Sequence, residues 1–167
     1  MWTSSFLTVL AGCNVTPNVD PVVSAQTYIG LKERQNRNEL EAFVGVDPVR
    51  TEWCAAFVNA VLEIENIPGS ESVSDVPLMA RSFLTWGEAV DPELIQRGDI
   101  VVFPRGNSGW QGHVGFFVEE QNGLWVILGG NQRNEVRYDL FNPNKAIGIR
   151  RYVIQTEARG SLPLLLQ

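Results

Sequence analysis

The sequence has few of the residues from which metal sites and disulfide frameworks are built. It contains two cysteines, Cys13 and Cys54, and one histidine, His113. Two cysteines can form at most one disulfide, and these two lie in such different surroundings that we do not expect them to pair. A zinc site would have to gather His113, a cysteine and carboxylates from across the chain, and no short ligand spacing supports one. We expect no metal and no other cofactor.

Positive charge and long apolar runs are also scarce. Thirteen Lys and Arg against 19 Asp and Glu give a formal net charge of -6. Nucleic-acid binders need a basic face that replaces counterions on phosphate, so this balance argues against nucleic acid as a partner. No run approaches the roughly 20 apolar residues that span a bilayer. A neutral or mixed-charge substrate such as a peptide remains compatible, and nothing in the sequence indicates the oligomeric state.

The 167 residues are enough for one domain with a hydrophobic core. We expect an N-terminal segment over residues 1–23, a domain over 24–156 and a tail over 157–167. Residues 10–13 read Leu-Ala-Gly-Cys and resemble a bacterial lipobox, which predicts lipidation of Cys13 and hence a membrane anchor. The first five residues carry no Lys or Arg, which favours the alternative of an N-terminal segment with an incidental cysteine.

The order of predicted elements indicates the fold class. Helical spacing of apolar residues and end signals predict helices over 24–31, 37–43, 52–65 and 76–84, the third capped by Thr51. Runs rich in β-branched and aromatic residues predict strands over 99–104, 113–120, 124–128, 135–140 and 147–154. Helices followed by an antiparallel sheet predict an α+β domain with the helices packed on one face of the sheet.

Cys54 and His113 are the candidate chemical pair. Cys54 falls in the first turn of the predicted helix 52–65, where unpaired N–H groups and the helix dipole favour a thiolate. His113 opens a predicted strand between Gly112 and Gly115, which leave room for a close approach. A cysteine at a helix start that faces a histidine on a sheet is the arrangement needed to activate a thiol. The structural alternatives are a small buried cysteine and a histidine satisfied within the sheet.

A third residue would orient the imidazole, and hairpin geometry leaves two candidates. A three-residue turn between the strands 113–120 and 124–128 pairs His113 with Asn131. A two-residue turn at Asn122 and Gly123 places Gln132 opposite His113 instead. One residue of slip moves every side chain to the other face, so only one of the two amides can serve.

Three segments carry a resemblance to a known family. Residues 53–58 (WCAAFV), 98–103 (GDIVVF) and 112–116 (GHVGF) resemble the NlpC/P60 and CHAP superfamily of papain-like hydrolases, and 128–132 (LGGNQ) resembles a phage- and bacteria-associated branch of it. The resemblance covers residues 24–154. It implies a papain-like fold and a cofactor-free peptidase or amidase, for example an endolysin, that acts on peptidoglycan. It matches Cys54 to the nucleophile and His113 to the base, and it favours Asn131 as the third residue.

The remaining expectations concern substrate and setting. We expect Trp53, Trp86 and Trp110 to line the substrate cleft, and the Cys54 N–H to stabilise the oxyanion. The resemblance implies action on the cell wall, in the periplasm or outside the cell, with delivery by a phage as one route. Two alternatives stay open, namely an inactive binding or structural module of the same fold, such as a virion component, and an acyltransferase that uses the same pair.

Overall fold

The computed structural model describes residues 20–153. The lipobox-like residues, Cys13 and the whole predicted tail lie outside this range, so the expectations for them stay predictions. Within the described range, no helix has the length and apolar character needed to cross a membrane.

Within residues 20–153 three α-helices precede the sheet, namely α1 (Pro21–Gln26), α2 (Arg37–Val44) and α3 (Cys54–Ile64). α1 begins earlier than the sequence suggests because Asp20 caps it, accepting a 3.0 Å bond from the Val22 N–H, and Pro21 occupies its first turn. α2 matches the predicted helix 37–43 closely. The predicted helix 76–84 is a short 3₁₀-helix, Ala80–Thr85, in the structure. Pro77 disfavours helical dihedrals at the residue before it, which explains the late start.

Six antiparallel strands form one sheet in the order β1–β6–β2–β3–β4–β5. Their bounds are β1 (Glu88–Ala89), β2 (Ile100–Pro104), β3 (Gly112–Gln121), β4 (Leu124–Gly129), β5 (Arg137–Phe141) and β6 (Gly148–Arg151). Five of them fall within two or three residues of the predicted ones. The two-residue β1 was missed, because it is too short to show an alternating pattern. The predicted α+β fold, with N-terminal helices packed on an antiparallel sheet, is confirmed.

The two faces of the sheet pack against different partners. Val102, Val114 and Leu128 belong to the main core, which includes α3, whose residues Cys54 to Val58 are all buried. On the opposite face Phe103 and Phe117 belong to a smaller cluster with Val101, Trp125, Ile127 and Ile149. α3 therefore lies flat against the sheet, and its first turn is held near the start of β3.

Asp99 links the two central strands to β6. Its carboxylate accepts two 2.7 Å bonds from the Arg151 guanidinium and a 2.8 Å bond from the Gln96 N–H. The Asp99 residue is 2 % exposed, so the ion pair is shielded from water on that side. Although Asp99 belongs to the segment 98–103 that resembles the family, its role in this structure is to fix the turn that leads into β2.

We expect Asp99→Asn to lower the free energy of unfolding by about 2 kcal/mol, because it replaces charge-assisted bonds by neutral ones in a buried position. Urea denaturation followed by tryptophan fluorescence measures the change. Arg97→Gln is the control, since it removes an exposed pair with Asp20 and should change stability by less than about 1 kcal/mol. Equal effects of the two substitutions would contradict a structural role for Asp99.

Candidate active site

Cys54 is the first residue of α3 and is almost inaccessible. The helix begins after Trp53, which makes no side-chain capping bond, so the expected cap from Thr51 is wrong. Only 2 % of the Cys54 residue is exposed. The backbone N–H groups of Val114 and Ala55 act on its sulfur.

The strand pairing explains why Val114 reaches the thiol. The Phe117 N–H donates to the carbonyl of Asp99, the residue just before β2. Neighbouring N–H groups along a strand point in opposite directions, so those of Phe116 and Val114 point towards β4 instead. The last β3–β4 partners are Phe116 and Leu128, and the chain leaves the sheet after Gly129. The Val114 N–H therefore lies beyond the last strand partner on β4, and it donates to the Cys54 sulfur instead. Because one peptide bond joins His113 to Val114, the thiol lies beside the backbone of His113.

Gln132 holds the imidazole of His113. The Nε2 atom of His113 lies 3.0 Å from Oε1 of Gln132. The Gln132 NH₂ group donates to the carbonyls of Ile127, at 3.1 Å, and Arg137, which identifies Oε1 as the acceptor. Nε2 must then carry the proton, so a neutral His113 has its free lone pair on Nδ1, the ring nitrogen nearer the backbone. The amide therefore fixes both the orientation and the tautomer of the ring.

Asn131 lies elsewhere, contrary to the expectation from the resemblance. Its Nδ2 donates to Oε2 of Glu52 at 2.6 Å, and the same oxygen accepts a bond from Arg105. Asn131 and Arg105, from two different segments, thus both bond to the carboxylate of Glu52, which precedes Cys54 by two residues. Of the two amides that the sequence left open, Gln132 is the one bonded to the imidazole.

A β-bulge explains why the length of the hairpin turn did not identify the amide that bonds to His113. The hairpin has the two-residue turn, with Gln121 opposite Leu124, but the register shifts at Val118, so that Phe117 faces Ile127. Continued to His113, that shifted register would meet Asn131. The strand ends first, and the positive φ of 56° at Asn131 turns the chain so that the next residue, Gln132, reaches the ring. The sequence carries no visible signal for the bulge.

Burial makes both members of the pair neutral. It raises the pKa of the Cys54 thiol, and Glu52 adds to this effect, whereas the two N–H groups and Arg105 oppose it. The expectation of a lowered thiol pKa at a helix start is therefore wrong here, because desolvation outweighs the helix terminus. Desolvation lowers the pKa of His113 to about 4, although the bond with Gln132 raises it. Phe141 contributes to this desolvation by stacking on the ring at 5.4 Å.

The three expected substrate tryptophans are in different places. Trp53 and Trp86 are 0 % and 3 % exposed and belong to the hydrophobic core, so the expectation that they line the cleft is wrong. The Trp86 indole is tied to Pro68 O at 2.8 Å. Trp110 is 63 % exposed and borders the cavity at Cys54. Burial of their large apolar surface stabilises the fold, so Trp53 and Trp86 pack in the core, as tryptophans in small domains more often do.

The cavity at Cys54 is small, with a volume of about 120 Å³. The ion-paired side chains of Glu52 and Arg105 stand at its border, and the other lining residues are Leu78, Met79, Ala80, Trp110, Gln111 and Gly112. Among residues 20–153 no group of three or more His, Cys, Asp or Glu side chains could hold a metal ion. The arrangement presents a thiol to a small group in this cavity, and the contact that links Cys54 to the His113 segment is the backbone N–H of Val114.

Comparison with known proteins identifies the fold. No protein-family model matches the sequence, and no curated protein matches it. The structure is similar to the crystal structure of an NlpC/P60 family protein from Bacillus cereus ATCC 10987, with a TM-score of 0.52 and 18 % sequence identity. The similarity covers 80 % of this chain and 39 % of that protein, so this chain matches well under half of its length. At this identity the likeness shows the NlpC/P60 type of fold.

We expect the His113 imidazole to titrate near pH 4 in the folded protein, against about 6.5 when unfolded. Because it is the one histidine of the sequence, its ring proton signal in NMR reports the pKa directly. Folding disfavours the protonated ring, so the neutral His113 ring contributes to the free energy of unfolding. This contribution of His113 is complete above about pH 6.5 and is lost as the pH falls towards 4. The urea-unfolded protein is the control, and a folded midpoint near 6.5 would show a solvated ring.

We expect Cys54 to react slowly with iodoacetamide at neutral pH, because its raised pKa keeps it protonated. In a Cys13→Ser background, Glu52→Gln should speed the reaction and Arg105→Gln should slow it, since their charges act on the thiol pKa in opposite directions. Rates measured by mass spectrometry between pH 6 and 10 test this. Both substitutions open the same ion pair, so changes in the same direction would indicate altered access to the cavity instead.

Proposed function

We propose that this protein is a cysteine-dependent hydrolase that cleaves an amide bond in peptidoglycan. The observation that carries the proposal is the thiol of Cys54, held at a helix start beside the backbone of a histidine whose ring is oriented by an amide. The NlpC/P60 type of fold supports peptidoglycan as the substrate and the cell wall as the place of action. The finer expectations of a CHAP-like or phage-derived enzyme rest on the sequence resemblance alone.

The proposed reaction starts from the neutral pair. The Cys54 sulfur attacks the carbonyl carbon while its proton passes to Nδ1 of His113, which acts as general base. The oxyanion accepts a bond from the Cys54 N–H. The imidazolium then gives its proton to the leaving amine as the C–N bond breaks, which leaves a thioester on Cys54. Water attacks the thioester and passes a proton to His113, which gives it to the departing Cys54 sulfur, so that the carboxylic acid, the free thiol and neutral His113 result.

Gln132 is a positioning residue in this scheme. It accepts the Nε2 proton and thereby keeps Nδ1 unprotonated, and it carries no charge that would stabilise the imidazolium strongly. Asn131 and Arg105 act one step further away, through Glu52 at the border of the cavity.

A second candidate function is an inactive binding module of the same fold. The burial of Cys54 favours the binding module, because a cysteine with a purely structural role would also be buried and protonated. Slow alkylation of the free protein is expected for both functions. Cleavage of substrate is the measurement that separates them.

We expect wild-type protein to release new muropeptides from purified peptidoglycan, and Cys54→Ala and His113→Ala to release none. Gln132→Ala should lower the rate by about 10- to 100-fold, as loss of an orienting partner commonly does, and Asn131→Ala should have a smaller effect than either Gln132→Ala or His113→Ala. Mass spectrometry of the products names the bond, and urea denaturation of each variant checks that it is folded. Intact wall with the wild type, across several wall chemistries, would favour the binding module.

A further inference from the structure

The strand β5 lies at one edge of the sheet and borders the place where the His113 ring meets Gln132. A Cβ atom at Gly129 would lie 3.5 Å from Nε2 of His113 and 3.4 Å from Cδ of Gln132, so the two side chains meet beside this last residue of β4. Gly129 faces Arg137, the first residue of β5. Groups of β5 are therefore near neighbours of the contact between the imidazole and its amide.

Two residues of β5 hold the imidazole and its amide, and Asp139 lies between them. The carbonyl of Arg137 accepts a bond from the Gln132 NH₂ group, and Phe141 stacks on the His113 ring at 5.4 Å with an interplanar angle of 4°. Side chains of a strand alternate between its two faces, so the side chain of Asp139 leaves the strand on the same face as that of Phe141. The carboxylate is thus on the side of the sheet that holds the ring.

The Asp139 carboxylate is shielded from water but only loosely neutralised. Its side chain is 18 % exposed, and its Oδ1 atom lies 3.4 Å from the guanidinium of Arg133 and 3.5 Å from that of Arg137. Both distances exceed the roughly 2.7 to 2.9 Å of a direct charge-assisted bond. Arg133 is also 73 % exposed, so water screens its charge. The carboxylate therefore keeps a negative potential that can act on a neighbouring group.

Charged groups from three segments of the chain act on the His113 ring. Desolvation lowers the pKa of His113 to about 4, and the bond with Gln132 raises it. Among the charged groups, Arg105 lowers this pKa, whereas Asp139 and Glu52 raise it. The Glu52 side chain is 64 % exposed and bonds directly to Arg105, so its charge is both screened and compensated. Asp139 is the better shielded of the two carboxylates.

We propose that Asp139 is a positioning residue that acts through His113, by supplying the negative charge that stabilises the imidazolium formed during catalysis. In a Ser-His-Asp triad one aspartate both orients the imidazole and stabilises its charged form. Here Gln132 orients the ring without a charge, and Asp139 provides the charge from the neighbouring strand. This inference rests on the proposed function for the step in which the ring becomes charged, whereas the effect of Asp139 on the ring is measurable without it.

The test measures the protonated fraction of His113 at pH 4 by NMR of its ring signals. In the wild type this fraction is about one half. We expect Asp139→Asn to lower it to about one fifth, a fourfold lower proton affinity, because loss of a nearby carboxylate disfavours the charged ring. Asp139→Glu keeps the charge and should restore most of the wild-type fraction. Asp139→Ser is a second neutral variant, so the result does not depend on one substitution staying folded at this pH.

Asp47→Asn is the matched control for loss of an ion-paired carboxylate. Asp47 pairs with Arg37 and Arg50, and its side chain is 17 % exposed, so its pairing and burial resemble those of Asp139. It lies between α2 and α3 and is not among the charges that act on the His113 ring. Asp47→Asn should therefore lower stability in urea and leave the protonated fraction of His113 unchanged.

Cleavage of soluble muropeptides at pH 7 is measured separately. For a hydrolase, Asp139→Asn should lower kcat about fourfold with KM unchanged, in proportion to the lost stabilisation of the imidazolium. A wild-type protonated fraction in both neutral variants, or an equal fall in Asp47→Asn, would overturn the inference and leave any observed cleavage in place. A fall confined to the Asp139 variants, without cleavage by the wild type, would sustain the action of Asp139 on the ring and overturn the hydrolase.

Discussion

Close packing between the start of α3 and the chain that leaves β4 is the constraint on which the candidate site depends. A Cβ atom at Gly130 would come within 2.6 Å of both Phe57 and Trp53, so only glycine permits this approach. The same contact brings the residues after Gly130 next to the first turn of α3. Cys54, Asn131 and Gln132 take their positions from it. The buried thiol and its raised pKa are consequences of the same close packing.

Much of the fold was predictable from local sequence. The strands 100–104, 112–121 and 124–129 alternate or run apolar between clear turn residues, and α2 and α3 show apolar residues at helical spacing. The errors lie where a neighbour in space overrides the local signal. The capping role assigned to Thr51 failed in this way, since Trp53 takes that place and is buried against Phe57.

The pair Cys54 and His113 could be selected from the sequence, whereas the orienting amide could not. Two adjacent amides, Asn131 and Gln132, serve two different groups, one at Glu52 and one at the imidazole. Which of them reaches the ring depends on the bulge at Val118 and on the positive φ at Asn131, and neither follows from residue types nearby. The charge state of the thiol was equally hidden, because burial is a property of the assembled structure. Local helix geometry predicted the opposite direction for its pKa.

The loop that presents Gln132 is fastened from a distant part of the chain. The N–H of Glu33 donates to the carbonyl of Asn134, and the N–H of Val136 donates to the carbonyl of Leu31. The segment before α2 therefore forms a short β-bridge with the loop after β4 and holds that loop in place. About a hundred residues separate the two sides of this bridge, so the loop that it closes is long and its closure costs conformational entropy. The position of the amide that orients the imidazole therefore depends on a contact between distant parts of the sequence. Opening of this bridge alone would release the loop that carries Gln132 while the pairing of β2, β3 and β4 stays intact.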